Sequence, residues 1–251
     1  MRRSSLPFAL DRPVVASTGA DSGITDRGRK TVSMATNPET SVNTVIFDLG
    51  GVLSTSGRAL DVVKRFPDHP AEEVMAVMLG DYASDTDHPW HRLERGEISL
   101  DDYRSAVGRL IGEAGFTMRE PEPSAPRQGL NFEFVRSDDM FRLVHDLRDH
   151  GCRLGVLTNN IREFRDRWRS IMDFDALFDD VVDSHEVGLR KPHPSIYELS
   201  LSRLGAQPHE AAFLDDMEVN VRAASALGMH GVLVDVDQRP AIERVRSLVG
   251  L

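Results

Sequence analysis

The sequence predicts an α/β fold, a doubly wound parallel sheet with an α-helical segment inserted after its first strand. Three observations carry this prediction. Short apolar runs alternate with segments whose apolar residues recur at three- and four-residue spacing, as in strands and amphipathic helices. A long helical pattern, residues 59–115, separates the first strand from the others. Three predicted strands end in polar residues, as expected where parallel strands deliver side chains to one edge of a sheet.

The first strand is the run NTVIFD, residues 43–48, in which apolar residues stop at Asp48. Two glycines follow, and glycine lets the backbone turn sharply and approach a ligand closely. Within the helical pattern 59–115, Ser99 starts a helix, because Asp101 and Asp102 are favourable in a first turn. The proline-rich stretch 121–129 marks a break. We therefore expect a helical cap at 57–130, inserted into a core formed by 41–56 and 131–251.

The second half of the chain continues the alternation. A helix at 137–151 ends with Gly151 as its C-terminal cap. Further helices are predicted at 161–172, 193–205, 217–228 and 239–250, and strands at 152–160, 179–184, 211–216 and 231–236. In open parallel sheets, ligands bind at the carboxyl ends of the strands. We therefore expect Asp48, Thr158–Asn159 and Asp215–Asp216 to share one site.

Composition narrows the class of partner. The 251 residues carry a formal net charge of −10, which argues against nucleic-acid and membrane-surface partners because both are anionic. A small phosphorylated metabolite remains compatible with this charge. Cys152 is the only cysteine, so an intrachain disulfide is impossible and a cytoplasmic, reducing location is expected. No apolar stretch approaches the ~18 residues of a membrane span.

The first forty residues differ from the rest of the chain. They are rich in Ser, Thr, Arg and Gly and lack a sustained periodicity, so residues 1–40 are predicted to be a disordered leader. The sequence predicts no particular oligomeric state.

Four segments, FDLGGVL, VLTNN, RKPHPSIY and FLDDMEVNVRAASALG, resemble in order and spacing the motifs of the haloacid dehalogenase-like (HAD) hydrolases. The resemblance covers about residues 43–237. The insertion segment LERGEIS, residues 93–99, resembles family members with a helical cap, including sugar-phosphate phosphatases and the phosphatase domain of soluble epoxide hydrolases. The resemblance implies a Rossmann-like core and Mg²⁺-dependent hydrolysis of a small phosphomonoester, for example a sugar phosphate.

The resemblance also implies a role for each motif residue. Asp48 is the nucleophile, which attacks phosphorus and forms an aspartyl-phosphate that water later hydrolyses. Lys191 neutralises charge on the nucleophile and on the transferring phosphoryl group. The Thr158 hydroxyl and backbone amides near Asn159 bind phosphoryl oxygens, with Gly51 as a further substrate-binding position.

Two adjacent acids at a strand end, Asp215 and Asp216, repel each other, so a cation is expected nearby. Mg²⁺ prefers oxygen ligands and bridges to phosphate. By resemblance, Asp216 binds the metal directly, together with Asp48 and the backbone carbonyl of Gly50. Asp215 then acts through water or orients Lys191.

One position departs from the family pattern. Most family phosphatases have an aspartate two residues after the nucleophile, which protonates the leaving oxygen and then activates water; here that position is Gly50. General acid–base catalysis contributes roughly 10²–10⁴-fold. Three explanations stay open: another group such as His91 or Glu94 donates the proton, the leaving group needs little help, or catalysis is lost. We favour activity.

Two rival functions follow from the same residues. A metal-free dehalogenase would use Asp48 on carbon and would have little use for the Asp215–Asp216 pair; a Mg²⁺ requirement separates the two. A catalytically impaired phosphate-ligand binding or regulatory protein is suggested by Gly50, and turnover on a phosphate panel separates that alternative. Arg190 is predicted to be a surface residue, with a swap of roles between it and Lys191 left open, and His185 is predicted to be a surface or turn residue.

Overall fold

The computed structural model describes residues 42–55, 63–119 and 133–251. The predicted leader at 1–40, the proline-rich break at 121–129 and both predicted junctions of the insertion fall outside these ranges. Within them, no helix is long and apolar enough to cross a bilayer.

Strands and helices alternate through the described residues as the sequence predicts. The strands are β1 (Thr44–Phe47), β2 (Ser54–Thr55), β3 (Val135–Arg136), β4 (Arg153–Thr158), β5 (Asp180–Asp183), β6 (Ala211–Asp215) and β7 (His230–Leu233). The helices are α1 (Ala71–Leu79), α2 (Pro89–Glu94), α3 (Leu100–Glu113), α4 (Asp138–Asp149), α5 (Arg165–Arg169), α6 (Phe174–Leu177), α7 (Ser184–Val187), α8 (Pro194–Leu204), α9 (Glu218–Ala226) and α10 (Arg239–Val249). The four-residue helices α6 and α7 were not predicted, because a single turn is too short to show a helical period.

A five-stranded parallel sheet has the strand order β5-β4-β1-β6-β7. Phe47 of β1 pairs with Val156 of β4 on one side and Leu214 of β6 on the other. The chain therefore builds outward from β1 in one direction and then in the other. This reversal of strand order at β1 is the switch point where open α/β sheets bind ligands, and it confirms the predicted fold class.

Helices cover both faces of the sheet. Phe47 belongs to one buried apolar cluster with residues of α4 and α10 such as Val144 and Val245. Its neighbour Ile46 points to the opposite face and belongs to a second cluster with α8 residues such as Ile196. Each buried side chain of this size contributes about 1.5–3 kcal/mol, so burial on both faces stabilises β1 at the centre of the sheet.

Two helix ends follow the sequence signals. Ser99 caps α3 by accepting a hydrogen bond from the Asp102 amide, and the Asp102 carboxylate accepts one from the Ser99 amide in return. Gly151 follows α4 with a φ of +88°, a left-handed conformation that terminates a helix. The cap positions predicted from the sequence are thus confirmed.

Helices α1, α2 and α3 pack on one another within the predicted insertion. Trp90 and Tyr103 meet edge to face with ring centroids 5.4 Å apart, and the Tyr103 hydroxyl donates a 3.0 Å hydrogen bond to the Met78 carbonyl. The three helices therefore bury residues against one another. These residues belong to the same apolar cluster as one face of the sheet.

Candidate active site

The carboxyl ends of three neighbouring strands bring polar side chains together. Asp48 follows β1, Thr158 ends β4 and Asp215 ends β6. A cavity of about 750 Å³ opens above this edge, lined by Asp48, Thr158, Lys191 and Asp216 among other residues. Asp215 is fully buried beneath them. The arrangement places all the motif residues within one site.

A buried ammonium group joins two of the carboxylates. Lys191 Nζ lies 2.8 Å from Asp48 Oδ1 and donates a 2.6 Å hydrogen bond to Asp215 Oδ2. Burial alone would lower the pKa of Lys191, but the charges of Asp215 and Asp48 outweigh it and raise the pKa. Lys191 is therefore a fixed positive charge beside the predicted nucleophile.

Asn159 holds the Lys191 backbone in place. Its Nδ2 donates to the Lys191 carbonyl at 2.9 Å, and its Oδ1 accepts from the Lys191 amide at 2.8 Å. Both polar groups of the Asn159 side chain are thus committed to the lysine. If Asn159 contacts the substrate as predicted, it would do so through its backbone amide.

Hydrogen bonds fix the orientation of Asp215. Its Oδ1 accepts a 2.8 Å bond from the Met217 amide, and the Asn220 Nδ2 lies 3.1 Å from both carboxylate oxygens. The Tyr197 hydroxyl in turn donates a 3.1 Å hydrogen bond to the backbone carbonyl of Asn220. Since its oxygens are occupied, Asp215 is better placed to orient Lys191 than to bind a metal directly.

Three carboxylates form a group suited to a cation. Ligand oxygens of Asp48, Asp215 and Asp216 all lie within 4.8 Å of one another. Burial raises the pKa of Asp48 to about 8, opposed by Lys191 and reinforced by Asp215 and Asp216. Burial, and next the charge of Asp215, raises the pKa of Asp216 to about 6. Three acids facing one ammonium leave excess negative charge, and oxygen donors of this kind fit Mg²⁺.

The two glycines after Asp48 differ in their surroundings. Gly51 has a φ of +72°, and a Cβ there would lie 2.2 Å from Asp216 Oδ2, so only glycine fits. The Gly51 amide already donates to the Ser54 carbonyl at 2.8 Å. The predicted contact between Gly51 and the substrate would therefore involve the Gly51 Cα and not its amide. At Gly50 an added Cβ would meet nothing within 4 Å. The position of the missing acid is therefore open.

Arg190 is fully buried, so its predicted surface position is wrong. Its Nε donates a 2.8 Å hydrogen bond to Glu94 Oε2, and a second guanidinium nitrogen donates to the Ser84 carbonyl at 2.9 Å. The guanidinium also lies 5.5 Å from the Tyr82 ring centroid. Arg190, the residue directly before Lys191, thus connects the core to the insertion.

Of the two side chains considered as alternative proton donors, only Glu94 lines the cavity. Burial raises the pKa of Glu94, although Arg190 opposes the shift, and its Oε1 accepts a 3.1 Å bond from the Tyr82 hydroxyl. His91 is fully buried, and its Nδ1 lies 2.9 Å from the Thr86 hydroxyl. Burial, with the nearby charge of Arg190, lowers the pKa of His91 to about 4. His91 is therefore held neutral and away from the cavity.

The turn after α2 presses closely against the core. Gly96 has a φ of +68°, and a Cβ there would lie 2.5 Å from the His185 carbonyl oxygen. His185 was predicted to be a surface or turn residue, but it lies in α7, it is buried, and its Nδ1 lies 2.8 Å from Asp183 Oδ1. The segment LERGEIS therefore supplies both Glu94 and the glycine at which the insertion meets the core.

Replacing Glu94 with alanine is expected to lower the free energy of unfolding by about 3 kcal/mol or more, because it leaves the Arg190 charge buried without its closest partner. Denaturant unfolding measures the change. Asp101→Ala is the matched control: Asp101 of the insertion pairs with Arg104 at the surface, where such pairs contribute at most about 1 kcal/mol. Equal losses in the two variants would contradict a structural role for the buried pair.

Comparisons with known proteins agree with this geometry. A family model described as haloacid dehalogenase-like hydrolase matches residues 42–228. The chain is 33% identical over 221 residues to mouse acyl-CoA dehydrogenase family member 10, covering 84% of this chain but 19% of that protein. It is 30% identical over 219 residues to the sesquiterpene phosphatase astK of Aspergillus oryzae, covering 84% of this chain and 98% of the relative.

Two solved structures share the fold. A predicted HAD-like hydrolase from Porphyromonas gingivalis has a TM-score of 0.59 at 28% identity, covering 82% of this chain and 98% of that one. A HAD-family enzyme from Bacteroides thetaiotaomicron, solved with magnesium and inorganic phosphate, has a TM-score of 0.56 at 20% identity, covering 78% and 96%. The family model and the phosphatase relative identify the protein as a hydrolase. The chain belongs to the haloacid dehalogenase-like hydrolase family.

Proposed function

We propose that this protein hydrolyses a small phosphomonoester in a Mg²⁺-dependent reaction, with Asp48 as the nucleophile. The observation that carries the proposal is the position of Asp48. Its carboxylate lies at the switch point of the sheet, 2.8 Å from the buried Lys191 ammonium and within a group of three acids. Such a group has a clear use in holding a cation against a phosphoryl group.

The residues divide the work of a two-step displacement. An oxygen of Asp48 attacks phosphorus, the bond to the leaving oxygen breaks, and an aspartyl-phosphate remains. Lys191, fixed by Asp215 and Asn159, stabilises negative charge on the transferring group. The Thr158 hydroxyl holds a phosphoryl oxygen. Water then attacks phosphorus, which releases phosphate and restores the Asp48 carboxylate.

Mg²⁺, when bound, supplies positive charge that offsets the charge of the phosphoryl oxygens. We assign Asp48, the Gly50 carbonyl and Asp216 as the groups that would hold it, with Asp215 behind them. The structural neighbour from Bacteroides thetaiotaomicron was solved with magnesium and inorganic phosphate, which supports a magnesium site in this fold. The Aspergillus oryzae relative, a sesquiterpene phosphatase, supports phosphoester chemistry.

We also propose that the insertion acts as a cap over the site. Glu72, Met75, Leu79 and Trp90 of helices α1 and α2 line the same cavity as Asp48. Side chains from both sides of the cavity can therefore contact one bound substrate, and the insertion can decide which leaving groups fit.

Replacing Asp216 with alanine is expected to raise the Mg²⁺ concentration for half-maximal activity at least about tenfold, since one oxygen ligand of a hard cation is removed. Titrating Mg²⁺ against initial rates on acetyl phosphate measures this. Asp68→Ala, at an exposed position of the insertion, is the control and should leave the titration unchanged.

The same titration separates the proposed function from its rivals. Full phosphatase activity of the wild-type protein in EDTA would contradict the role of Mg²⁺. Release of halide from a 2-haloacid without metal would favour the dehalogenase alternative, and a complete lack of turnover on phosphoesters would favour a binding protein.

A further inference from the structure

The charges that line the cavity are strongly unbalanced. Among the described residues that line it, Lys191 is the single cation, and that ammonium already contacts Asp48 and Asp215. The insertion contributes acids to the lining instead: Glu72, Asp81 and Glu94. A substrate with a second anionic group would place that group among carboxylates, and the described lining offers no further cation to receive it, which costs free energy at close range.

The remainder of the lining is mainly apolar. It includes six large side chains from the insertion and from the loops beside β3, β4 and β6: Met75, Leu79, Trp90, Phe134, Ile161 and Met217. Two of them, Met75 and Leu79, lie four residues apart on α1 and therefore on one face of that helix. The apolar surface is thus continuous from the insertion to the core.

Even the polar aromatic groups in this wall have their partners within the protein. The Trp90 indole N–H donates a 2.9 Å hydrogen bond to the Tyr82 hydroxyl, and that hydroxyl donates to Glu94. Glu94 in turn accepts from Arg190. This part of the wall therefore presents ring and methylene carbons. A sugar hydroxyl buried against it would lose its water without a hydrogen-bonding partner there, at a cost of roughly 1–3 kcal/mol.

We infer that the substrate is a phosphomonoester of an apolar alcohol or phenol that carries no second anionic group. This inference rests on the proposed function and names the substrate class for the same site. The phosphate lies against Lys191 and the three acids that fit a cation, and the apolar body lies along α1 and beneath Trp90. Sugar phosphates, bisphosphates and nucleotides fit this cavity less well.

The test is a chain-length series of 4-alkylphenyl phosphates, from methyl to hexyl, hydrolysed with Mg²⁺. Their phenols have nearly equal basicity, so the chemical step stays constant while the buried apolar surface grows. We expect kcat/KM to rise about fourfold for each methylene that becomes fully buried, until the cavity is filled. A 4-alkylphenyl phosphate ending in a carboxylate should fall at least about tenfold below the uncharged compound of equal length.

A double variant ties the trend to the cavity wall. Met75→Gln with Leu79→Asn keeps the approximate size of both side chains but makes this face of α1 polar. The increase in kcat/KM per added methylene should therefore largely disappear. Val77→Thr is the control on the same helix, at a residue that does not line the cavity, and it should keep the wild-type slope. Denaturant unfolding of all three proteins shows that they are folded.

Acetyl phosphate, which has no large apolar group, separates a failure of the proposed substrate class from a failure of the proposed function. If it is hydrolysed with Mg²⁺ but the alkyl series is flat, or a sugar bisphosphate or nucleotide is preferred, the substrate class is wrong and the proposed function stands. If the double variant keeps the wild-type slope, the apolar wall does not bind the substrate. If neither acetyl phosphate nor any aryl phosphate is hydrolysed, the proposed function itself fails.

Discussion

Replacing Asp48 with asparagine is expected to lower kcat by about 10⁴-fold or more, because an amide cannot form the bond to phosphorus that the carboxylate forms. The fold should be retained. Asparagine has nearly the same shape, and its oxygen can still accept the hydrogen bonds from the Leu49 amide and Lys191 that Asp48 Oδ1 accepts now. The loss should therefore appear in catalysis and not in the free energy of unfolding.

Initial rates on acetyl phosphate and denaturant unfolding, measured on the same preparation, check both halves of this expectation. Asp68→Asn removes one charge from an exposed position of the insertion and should leave both measurements at their wild-type values. Undiminished hydrolysis by the Asp48 variant would rule out the proposed nucleophile. A parallel collapse of stability would instead show that the residue is needed for folding.

Replacing Gly50 with aspartate should speed the hydrolysis of esters with poor leaving groups by up to ~10²-fold, the lower end of general-acid effects. The structure removes a steric objection to this experiment. A Cβ at Gly50 would meet nothing within 4 Å, and the backbone there does not need the left-handed conformation of Gly51. Phenyl and acyl phosphates, whose leaving oxygens carry charge well, should gain least.

Gly50→Asn is the matched control, since it adds a side chain of the same size without an acidic proton. Logarithms of rate plotted against leaving-group pKa should be steep for the wild-type and Asn proteins and shallower for the Asp protein. Equal shallow slopes in all three would show that another group already donates the proton. Glu94 would then be the first to test, because it lines the cavity and burial raises its pKa.

The sequence was sufficient to predict the sheet and the placement of Asp48, Thr158 and Asp215 at its edge. Each is encoded locally, by an apolar run that stops at a polar residue, and the rule for parallel sheets then brings the strand ends together. Helix ends such as Gly151 are equally local, since the backbone conformation is a property of the residue itself.

Arg190 shows where local patterns cease to be informative. Burial of an arginine is favourable only with partners, and its partner Glu94 lies 96 residues earlier in the chain. The sequence around either residue gives no indication that the other is its partner. His185 was misjudged for a similar reason, because the turn at Gly96, which approaches the His185 carbonyl oxygen, lies 89 residues earlier in the chain. Contacts between the insertion and the core are therefore the part of the site that required the structure.

Asp48 is proposed to carry the phosphoryl group between the two steps, and chemical-quench trapping detects this intermediate. The residue that usually activates water is absent at Gly50, so the second step should be slow and the intermediate should accumulate when the leaving group is good. Wild-type protein mixed with Mg²⁺ and radiolabelled acetyl phosphate, then quenched in acid within milliseconds to seconds, should carry close to one phosphoryl group per chain. Peptide mass spectrometry should locate it on Asp48, and Asp48→Asn should carry none. Rapid turnover with no label on the protein, or with the label on another residue, would rule out Asp48 as the residue that carries the phosphoryl group.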